Sequence, residues 1–471
     1  MTAPEEPGDD GRLHPVAAAY ELVRGLLRFD AIEHGRLFVS IVRWTVLGSI
    51  VGVVAGTSSA LFLTLLARAT DARAENDWFL WLLPLGGLAV GVTYHYLGGR
   101  SAQGNNLILE EVHGVEPEGP APPAGQRWVP RRMAPLVLVG TLVTHLFGGS
   151  AGREGTAIQM SGSLTDGLAR LARIGPEDRR LLLIAAIAGG FGSVFGVPLA
   201  GAVFALEVQT VGRVRHDAFV PALAASVVGD RVVHALDWHH DITPRIALGD
   251  VPFDAALLAK VAVAALAFGL VSALFSELVF GLKAAFTALV AWSPLRPAIG
   301  GVVVVALTLL VGTRDYLGLS LPLIADAYVG DVVLGAFALK LLFTAVTLGA
   351  GFQGGEVTPL FVIGATLGAT MAQLLDAPPE LLAAVGFVAV FAGATNTPLA
   401  CTIMGIELFG AGSITYLAVG CTIAYVFSAH RGIYESQRVD GHEPDTRLRL
   451  LQERRRHWLP ARRIHRPPPR D

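Results

Sequence analysis

The sequence contains little charge and little cysteine. Of its 471 residues, 16% are charged and 52% are apolar, whereas about 25% of the residues in ordinary soluble domains are charged. This composition excludes an ordinary soluble domain and indicates a membrane protein. The two cysteines, Cys401 and Cys421, both lie in apolar runs. Nothing in their spacing indicates a disulfide or a metal site.

Signatures of catalysis are also scarce. The sequence has no HExxH motif and no paired metal ligands, which disfavours an intramembrane enzyme. A purely structural membrane protein would leave the buried carboxylates described below unexplained. We therefore expect a protein that is not an enzyme and that uses neither a cofactor nor a metal.

Apolar runs of two lengths alternate along the chain. Some reach or approach the roughly 20 residues that cross a bilayer, and these are 44–67, 78–97, 257–275, 298–312 and 332–351. Others are shorter, namely 133–147, 181–195 and 381–393. Short runs suit tilted, broken or partly buried helices. The predicted fold class is therefore an all-α membrane protein of short, tilted and broken transmembrane helices.

The charges are concentrated towards the ends of the chain. Nine arginines and a single acid, Glu453, lie between Arg447 and Arg470, which predicts a basic cytoplasmic tail. The acidic N-terminal lead lacks the order of a cleaved signal, so both termini are expected in the cytoplasm. Nucleic-acid binding is the alternative for the tail, but the apolar bulk of the chain disfavours it. The predicted units are a lead (1–40), a membrane domain (41–436, with repeats at about 41–235 and 253–436) and the tail (437–471).

One pattern occurs twice. GSAGREGTAIQMSG at 149–162 aligns with GFQGGEVTPLFVIG at 351–364, so that Glu154 matches Glu356. A second pair follows, in which PLAG and PLAC begin segments that end in Glu207 and Glu407. Two diverged halves with glycine-interrupted segments are typical of a duplicated transporter whose site lies between the repeats. We expect Glu207 and Glu407 to be structural and to bind neighbouring backbone.

Three polar, glycine-rich segments look like helix starts. They are 104–108, 152–156 and 354–359. Thr358, and Asn105 or Asn106, are predicted N-caps, and Pro359 fits a first turn. Unpaired N–H groups and a partial positive charge at converging helix starts bind an anion without a full cation. Anion transport is therefore the physical expectation.

Glu154 and Glu356 sharpen this expectation. An ionised carboxylate inside a membrane is costly unless it is paired, hydrogen-bonded or protonated, so each is a candidate gate and proton carrier. The alternative is that each glutamate only caps its own helix. Arg153 is either a site cation or an outward-facing interfacial residue, and the second interpretation is favoured. His145 is expected to be a satisfied buried histidine.

GREGT, GGEVTP and the doubled architecture resemble the CLC family of anion channels and antiporters, over about residues 40–436. The resemblance implies two inverted-topology repeats and a homodimer with one pore per subunit. It also implies that Glu154 is the external gating and proton-accepting glutamate. Tyr434, in GIYESQ, matches the tyrosine that approaches the anion in that family.

Departures from the common chloride pattern are equally informative. GNNLI stands where chloride members usually have GSGIP, Thr156 stands where they have proline, and Val208 replaces an inner proton-transfer glutamate. These changes resemble the fluoride-exporting branch of the family. Fluoride is strongly hydrated, and the donors of an Asn amide or a Thr hydroxyl suit it. The expected anion-binding residues are Asn105, Gly152, Arg153, Gly155, Thr156, Val357, Thr358 and Tyr434.

The leading hypothesis is a fluoride/proton antiporter of a bacterial-type inner membrane that exports fluoride and confers fluoride resistance, with Glu154 and Glu356 on the proton route. Its expected partners are fluoride, protons, the lipid bilayer and a second copy of the chain, with chloride as a further substrate. The alternatives are a chloride or nitrate/proton antiporter of the same fold, or a passive anion channel such as a voltage-gated-type chloride channel.

Overall fold

Both halves of the chain contain the same succession of helices. The computed structural model describes residues 31–114, 128–236, 248–249 and 251–439. The first half contains α1 (Ala31–Glu75), α2 (Leu83–Thr93), α3 (Asn105–His113), α4 (Met133–Leu146), α5 (Glu154–Leu171), α6 (Pro176–Phe195), α7 (Pro198–Glu207) and α8 (Phe219–Ala235). The second half contains α9 (Ala255–Leu289), α10 (Leu295–Val311), α11 (Pro322–Val329), α12 (Ala336–Ala350), α13 (Val357–Leu375), α14 (Pro379–Thr395), α15 (Pro398–Phe409) and α16 (Ile414–Phe427). The predicted all-α repeat architecture is confirmed.

Short segments connect these helices. A π-helical turn spans Tyr94–Gly98, and 3₁₀ turns span Asp77–Leu82, Gly99–Gln103, His216–Ala218 and Ala411–Ser413. The two short strands β1 (Thr210–Val211) and β2 (Arg438–Val439) pair in parallel, which joins the end of the second half to the first. The lead before residue 31 and the tail beyond residue 439, on which most of the predictions for the termini fall, lie outside the described residues.

The helices differ widely in length, as the apolar runs predict. Five helical segments of the described chain are long and apolar enough to cross a membrane, among them Ala255–Leu289 and Val357–Leu375. Seven apolar helices have only 10–17 residues, among them Met133–Leu146 and Pro379–Thr395. The run 181–195 belongs to a longer helix than its length indicates, because the charged turn starting at Pro176 is helical as well.

Glycines in α1 allow very close helix packing. A β-carbon added to Gly48, Gly52 or Gly56 would lie within 2.7 Å of a backbone carbonyl oxygen of α8. A contact of this kind is possible only for a residue without a side chain. The spacing of four residues thus brings α1 directly against the backbone of α8.

Aromatic rings fill the space between the two halves. Phe191 of α6 stacks on Phe204 of α7 with ring centroids 4.3 Å apart, and Phe391 of α14 lies 6.0 and 5.7 Å from these two rings. Phe361 and Phe387 stack at 4.1 Å. These rings are buried, so the apolar core runs across the junction of the repeats.

The two halves also exchange helix caps. Both oxygens of Glu207, at the end of α7, accept hydrogen bonds from the first N–H groups of α15, at 3.1 Å from Leu399 and 2.8 Å from Ala400. Glu407, at the end of α15, accepts in the same way from Leu199 and Ala200 of α7, at 2.9 and 2.8 Å. The predicted structural role of both glutamates is confirmed. Each carboxylate accepts from backbone N–H groups at the start of the opposite helix that have no partner within their own helix.

The caps of two predicted helix starts differ from the expectation. Glu356, not Thr358, occupies the N-cap position of α13, and Thr358 is the second helical residue. Gly104, with φ of 60°, precedes α3, so Asn105 and Asn106 are its first two residues. These two expected caps were wrong because Glu356, two residues before Thr358, and Gly104, directly before Asn105, occupy the N-cap positions. The Thr358 and Asn105 side chains are thus left for other contacts.

Candidate functional site

The two copies of the repeated motif cross each other at their glycines. Gly152 N–H donates to the carbonyl oxygen of Gly355 at 2.6 Å, and Gly355 N–H donates to that of Gly152 at 2.8 Å. The bridge is antiparallel, so the two segments run in opposite directions. This contact brings the starts of α5 and α13 together in the interior of the protein.

Glycine is required at this crossing because there is no space for a side chain. A β-carbon on Gly152 would lie 2.8 Å from the Glu154 carboxylate, and one on Gly355 would lie 2.8 Å from the backbone nitrogen of Gly155. A β-carbon on Gly155 would lie 3.0 Å from the Asn105 side-chain nitrogen. The motif glycines thus allow the three helix starts to converge.

Glu154 is completely buried, and its carboxylate lies at the start of the opposite helix. Its oxygens accept hydrogen bonds from the backbone N–H of Thr358 at 3.1 Å and from the Thr358 hydroxyl. The backbone N–H of Arg153 donates to it at 3.1 Å. The carboxylate therefore occupies the anion-attracting N-terminus of α13 in the other repeat. The alternative, in which Glu154 only caps its own helix, is wrong.

Arg153 is buried with only 4% of its surface exposed. The prediction that it faces outward at the interface is therefore wrong. Its Nε atom lies 3.8 Å from a Glu154 oxygen, and the positive charge reduces the cost of an ionised carboxylate inside the membrane. The prediction was wrong because an arginine in an apolar region usually lies at the membrane surface. In this structure the sharp turn before α5 directs Arg153 inward.

Glu356 is partly buried beside the same crossing. It occupies the N-cap position of α13 but makes no side-chain capping bond, so the alternative of a simple cap is wrong for this residue too. A β-carbon on Gly155 would lie 3.7 Å from a Glu356 oxygen, and the two glutamates lie within electrostatic range of each other. Both predicted carboxylates therefore belong to one cluster.

Asn105 completes the cluster from α3. Its side-chain nitrogen faces Gly155, and its Oδ1 atom is buried with no hydrogen-bond partner among the described residues. An unpartnered buried acceptor is costly. Of this side chain, only the NH2 group, which is the donor side of the amide, can bind an anion in this cluster.

The segment after α16 closes the cluster. Ser436 N–H donates to the Asn106 side chain at 3.1 Å, and the Ser436 hydroxyl donates to Glu110 at 3.1 Å. These bonds hold the segment that carries Tyr434 against α3. Tyr434 itself is 7% exposed and lies within electrostatic range of Glu154 and Glu356. The structure thus places the tyrosine within electrostatic range of both carboxylates.

Two of the predicted anion-binding side chains point elsewhere. The Thr156 hydroxyl pairs with the Thr141 hydroxyl of α4 at 2.7 Å, and Val357 is a fully buried apolar residue. Each still lies in the first turn of a helix, so what it offers the site is its backbone N–H. His145 is buried as expected, and its ring nitrogens lie 2.9 and 3.1 Å from the carbonyl oxygens of Thr141 and Ala151. A neutral ring has one N–H and donates to only one of these oxygens.

Residues that the sequence did not single out support this site. The fully buried Lys340 of α12 donates to Ser150 at 2.9 Å, to Gly318 O at 2.8 Å and to Ser320 at 2.9 Å. Ser150 has the GxSxG spacing of a nucleophile, but its hydroxyl is enclosed by Lys340 and Thr344, so its role is structural. The position of this lysine, alone in the apolar run 332–351, is the feature of the sequence that could have identified it as a buried structural residue.

Gln437 is a second residue of this kind. Its amide donates to the carbonyl oxygens of Val208 and Thr395, at 2.9 Å each, and accepts from Asn396 at 2.9 Å. It thereby links the ends of α7 and α14. Its position next to the basic tail concealed this role in the sequence.

A family model described as "Voltage gated chloride channel" matches residues 86–429 of the chain. A "Chloride/fluoride channel protein" of Pseudomonas syringae is 44% identical over 422 residues, which is 88% of this chain and 90% of that protein. An "H(+)/Cl(-) exchange transporter ClcA" of Cronobacter sakazakii is 24% identical over 77% of this chain and 81% of its own length.

Solved structures give the same result. A crystal structure of a CLC-type fluoride/proton antiporter superposes with a TM-score of 0.79 and 31% identity, and the match covers 86% of this chain and 99% of that one. A slow cyanobacterial Cl⁻/H⁺ antiporter superposes with a TM-score of 0.67 at 22% identity, over 82% of this chain and 94% of that one, which supports the fold. By sequence and by structure, this chain belongs to the voltage-gated chloride channel family, the CLC family of anion transporters and channels.

Proposed function

We propose that the protein is a fluoride/proton antiporter that exports fluoride from the cytoplasm, driven by the proton gradient. The observation that carries the proposal is the position of the Glu154 carboxylate on the first N–H and hydroxyl groups of α13. A bound anion would use the same donors. Protonation of Glu154 removes its negative charge and weakens its hold on Thr358, so proton uptake and entry of the anion into this position are coupled.

The donor set favours fluoride. Fluoride loses its water only where strong hydrogen-bond donors replace it. Thr358 offers an N–H and a hydroxyl, and the Asn105 amide lies beside Gly155. The 44% identical relative carries chloride and fluoride in its name, and the solved antiporter at 31% identity carries fluoride and protons in its title. Both support this choice of anion.

Glu356 is the second carboxylate of the proposed proton route. It lies in the same cluster as Glu154 and is not used as a cap. Glu154 exchanges protons with the outer side, and Glu356 passes them between Glu154 and the inner side. Hydrofluoric acid is weak, so a carboxylic acid hands a proton towards fluoride more readily than towards chloride.

The proposed setting is a bacterial-type inner membrane with both termini in the cytoplasm. The arginines near the start of α1, Arg36 and Arg43, support a cytoplasmic start by the positive-inside rule. The proposed assembly is a homodimer with one pore in each subunit, surrounded by lipid.

The test uses the purified protein in liposomes with a fluoride gradient and a clamped membrane voltage, while fluoride and pH are recorded together. Uphill proton movement driven by fluoride, with little or none driven by chloride, is the expected result. Fluoride flux without proton movement would show that the protein is a channel and not an antiporter. Equal transport of chloride would show that the protein is not selective for fluoride.

A variant isolates the second carboxylate in the same assay. Glu356→Gln is expected to move fluoride with strongly reduced proton coupling, because the amide cannot carry the proton. Glu380→Gln, at an exposed glutamate in the first turn of α14, is the matched control and should behave as wild type. Normal coupling in Glu356→Gln would remove this residue from the proton route.

A further inference from the structure

A basic pocket opens beside the C-terminal half of α5, at the opposite end of the helix from Glu154. Its volume is about 210 Å³, several times the ~30 Å³ of a water molecule. None of the residues of the anion site lines it. The residues that matter for its chemistry are Arg100, Trp128, Arg131, Arg132, Asp166 and Arg170.

The carboxylates around the pocket are already neutralised. Asp166 receives a hydrogen bond from Arg179 at 2.5 Å and another from the backbone N–H of Val129 at 2.7 Å. Glu111 lies 2.7 Å from Arg100 and 3.0 Å from Arg179. Among residues 31–114, 128–236 and 251–439, both of these carboxylates are therefore already paired with arginines.

Within the described part of the chain, three arginines of the pocket wall form no ion pair. Among residues 31–114, 128–236 and 251–439, no ion pair involves Arg131, Arg132 or Arg170. Arg131 makes only a long contact of 3.5 Å with the carbonyl oxygen of Gly167. The pocket thus has a net positive charge from groups whose donors match the oxygens of a phosphate.

Packing holds these guanidinium groups near the pocket. The guanidinium carbons of Arg170 and Arg179 lie 5.8 and 4.7 Å from the centre of the Trp128 ring, in cation–π contact. A β-carbon on Gly99 would lie 2.5 Å from the Arg132 side chain, so Arg132 lies directly over a glycine. Arg170 and Arg132 are therefore partly ordered before a ligand arrives.

The pocket lies on the face where the chain enters the membrane. Arg43 of α1 pairs with Asp178, at the start of α6, and the neighbouring Arg179 bonds Asp166 of the pocket wall. Further arginines flank the helix ends on this side, namely Arg36, Arg173 and Arg180. Such a bias marks the cytoplasmic face, where the inner leaflet carries anionic phospholipids.

We propose that this pocket binds a phosphate group, supplied by the headgroup of an anionic phospholipid or by a free phosphate ion, with Arg131, Arg132 and Arg170 as its ligands. The proposal does not depend on which anion the protein transports. It requires only that an anionic phosphate replaces the missing carboxylate partners.

The test compares the full-length protein with the double variant R131Q/R132Q in mild detergent. Native mass spectrometry counts retained phosphatidylglycerol against phosphatidylcholine, and a thermal-shift titration uses inorganic phosphate as the probe. A loss of affinity of about fivefold is expected for each arginine removed. R36Q/R68Q, which changes two exposed arginines outside the pocket, removes the same charge and is the control.

The outcomes separate the sources. Retention of phosphatidylglycerol that falls only in R131Q/R132Q assigns the pocket to a lipid headgroup. Stabilisation by inorganic phosphate that falls only in this variant, without lipid retention, assigns it to the free ion. Equal behaviour of R131Q/R132Q and R36Q/R68Q with both probes would overturn the proposal, because the binding would then be unspecific surface attraction. The melting temperature of R131Q/R132Q is also measured without ligand, and an unchanged value shows that the variant is folded.

Discussion

Replacement of Glu154 by glutamine tests the competition on which the proposed mechanism depends. The carboxylate accepts from Thr358 N–H, the Thr358 hydroxyl and Arg153 N–H. A hydrogen bond to a charged group contributes about 1.5–3 kcal/mol and one between neutral groups about 0.5–1.5 kcal/mol. Loss of the charge therefore weakens the hold of residue 154 on α13 by about 1 kcal/mol for each contact, or about 3 kcal/mol in all.

A fluoride ion that binds the same donors then has to displace the glutamine side chain, which is held more weakly than the carboxylate. The expected result is that E154Q binds fluoride up to about 100-fold more tightly, since 1.4 kcal/mol corresponds to a factor of ten, and that proton coupling is abolished. The amide has nearly the shape of the carboxylate. Its oxygen can accept from both backbone N–H groups, which share one carboxylate oxygen in the wild type, and its NH2 group can donate to the Thr358 hydroxyl, so the variant is expected to fold.

Isothermal titration of the detergent-solubilised protein with fluoride measures the first effect, and the liposome assay measures the second. E380Q is again the control. Unchanged fluoride affinity together with normal proton transport in E154Q would refute the reasoning, because the carboxylate would then neither compete with the anion nor carry its proton.

Three further substitutions test other parts of the site. Asn105→Ser is expected to lower the preference for fluoride over chloride about threefold to tenfold, the value of one hydrogen bond, in paired flux measurements; an unchanged ratio would exclude a role in selectivity. Gly155→Ala places a β-carbon 3.0 Å from Asn105 and 3.1 Å from Gly355. Fluoride flux should fall about tenfold or more, whereas Gly35→Ala, with nothing within 4 Å, should transport normally. Glu207→Gln leaves one of the two N–H groups at the start of α15 without an acceptor and the other with a neutral one. This should lower stability by about 1.5–3 kcal/mol, seen as a reduced melting temperature; a wild-type melting temperature would contradict the capping role.

The sequence predicted those parts of the site that repeat. Glu154 and Glu356 stand at matching positions of two similar motifs, and a carboxylate in an apolar, glycine-interrupted segment has few structural explanations. The same reasoning identified Glu207 and Glu407 as structural. The lengths of the apolar runs were also sufficient to predict the helices, because the helices of both repeats must fit the same bilayer thickness.

The orientation of single side chains could not be predicted in this way. Arg153 faces inward and the Thr156 hydroxyl faces α4 because of turns and neighbours that are distant in sequence. Lys340 acquires its acceptors from a segment 20–24 residues upstream and from Ser150, 190 residues upstream. No local pattern encodes such contacts, so they became visible only with the fold.

The exchanged caps of α7 and α15 have a consequence for how the protein is made. The N–H groups of Leu199 and Ala200 find their acceptor in Glu407, which follows Leu199 by 208 residues. During synthesis the first half therefore enters the membrane with an incomplete helix start and waits for the second half to supply it. Neither half is a finished folding unit, and each is expected to be degraded when it is expressed without the other.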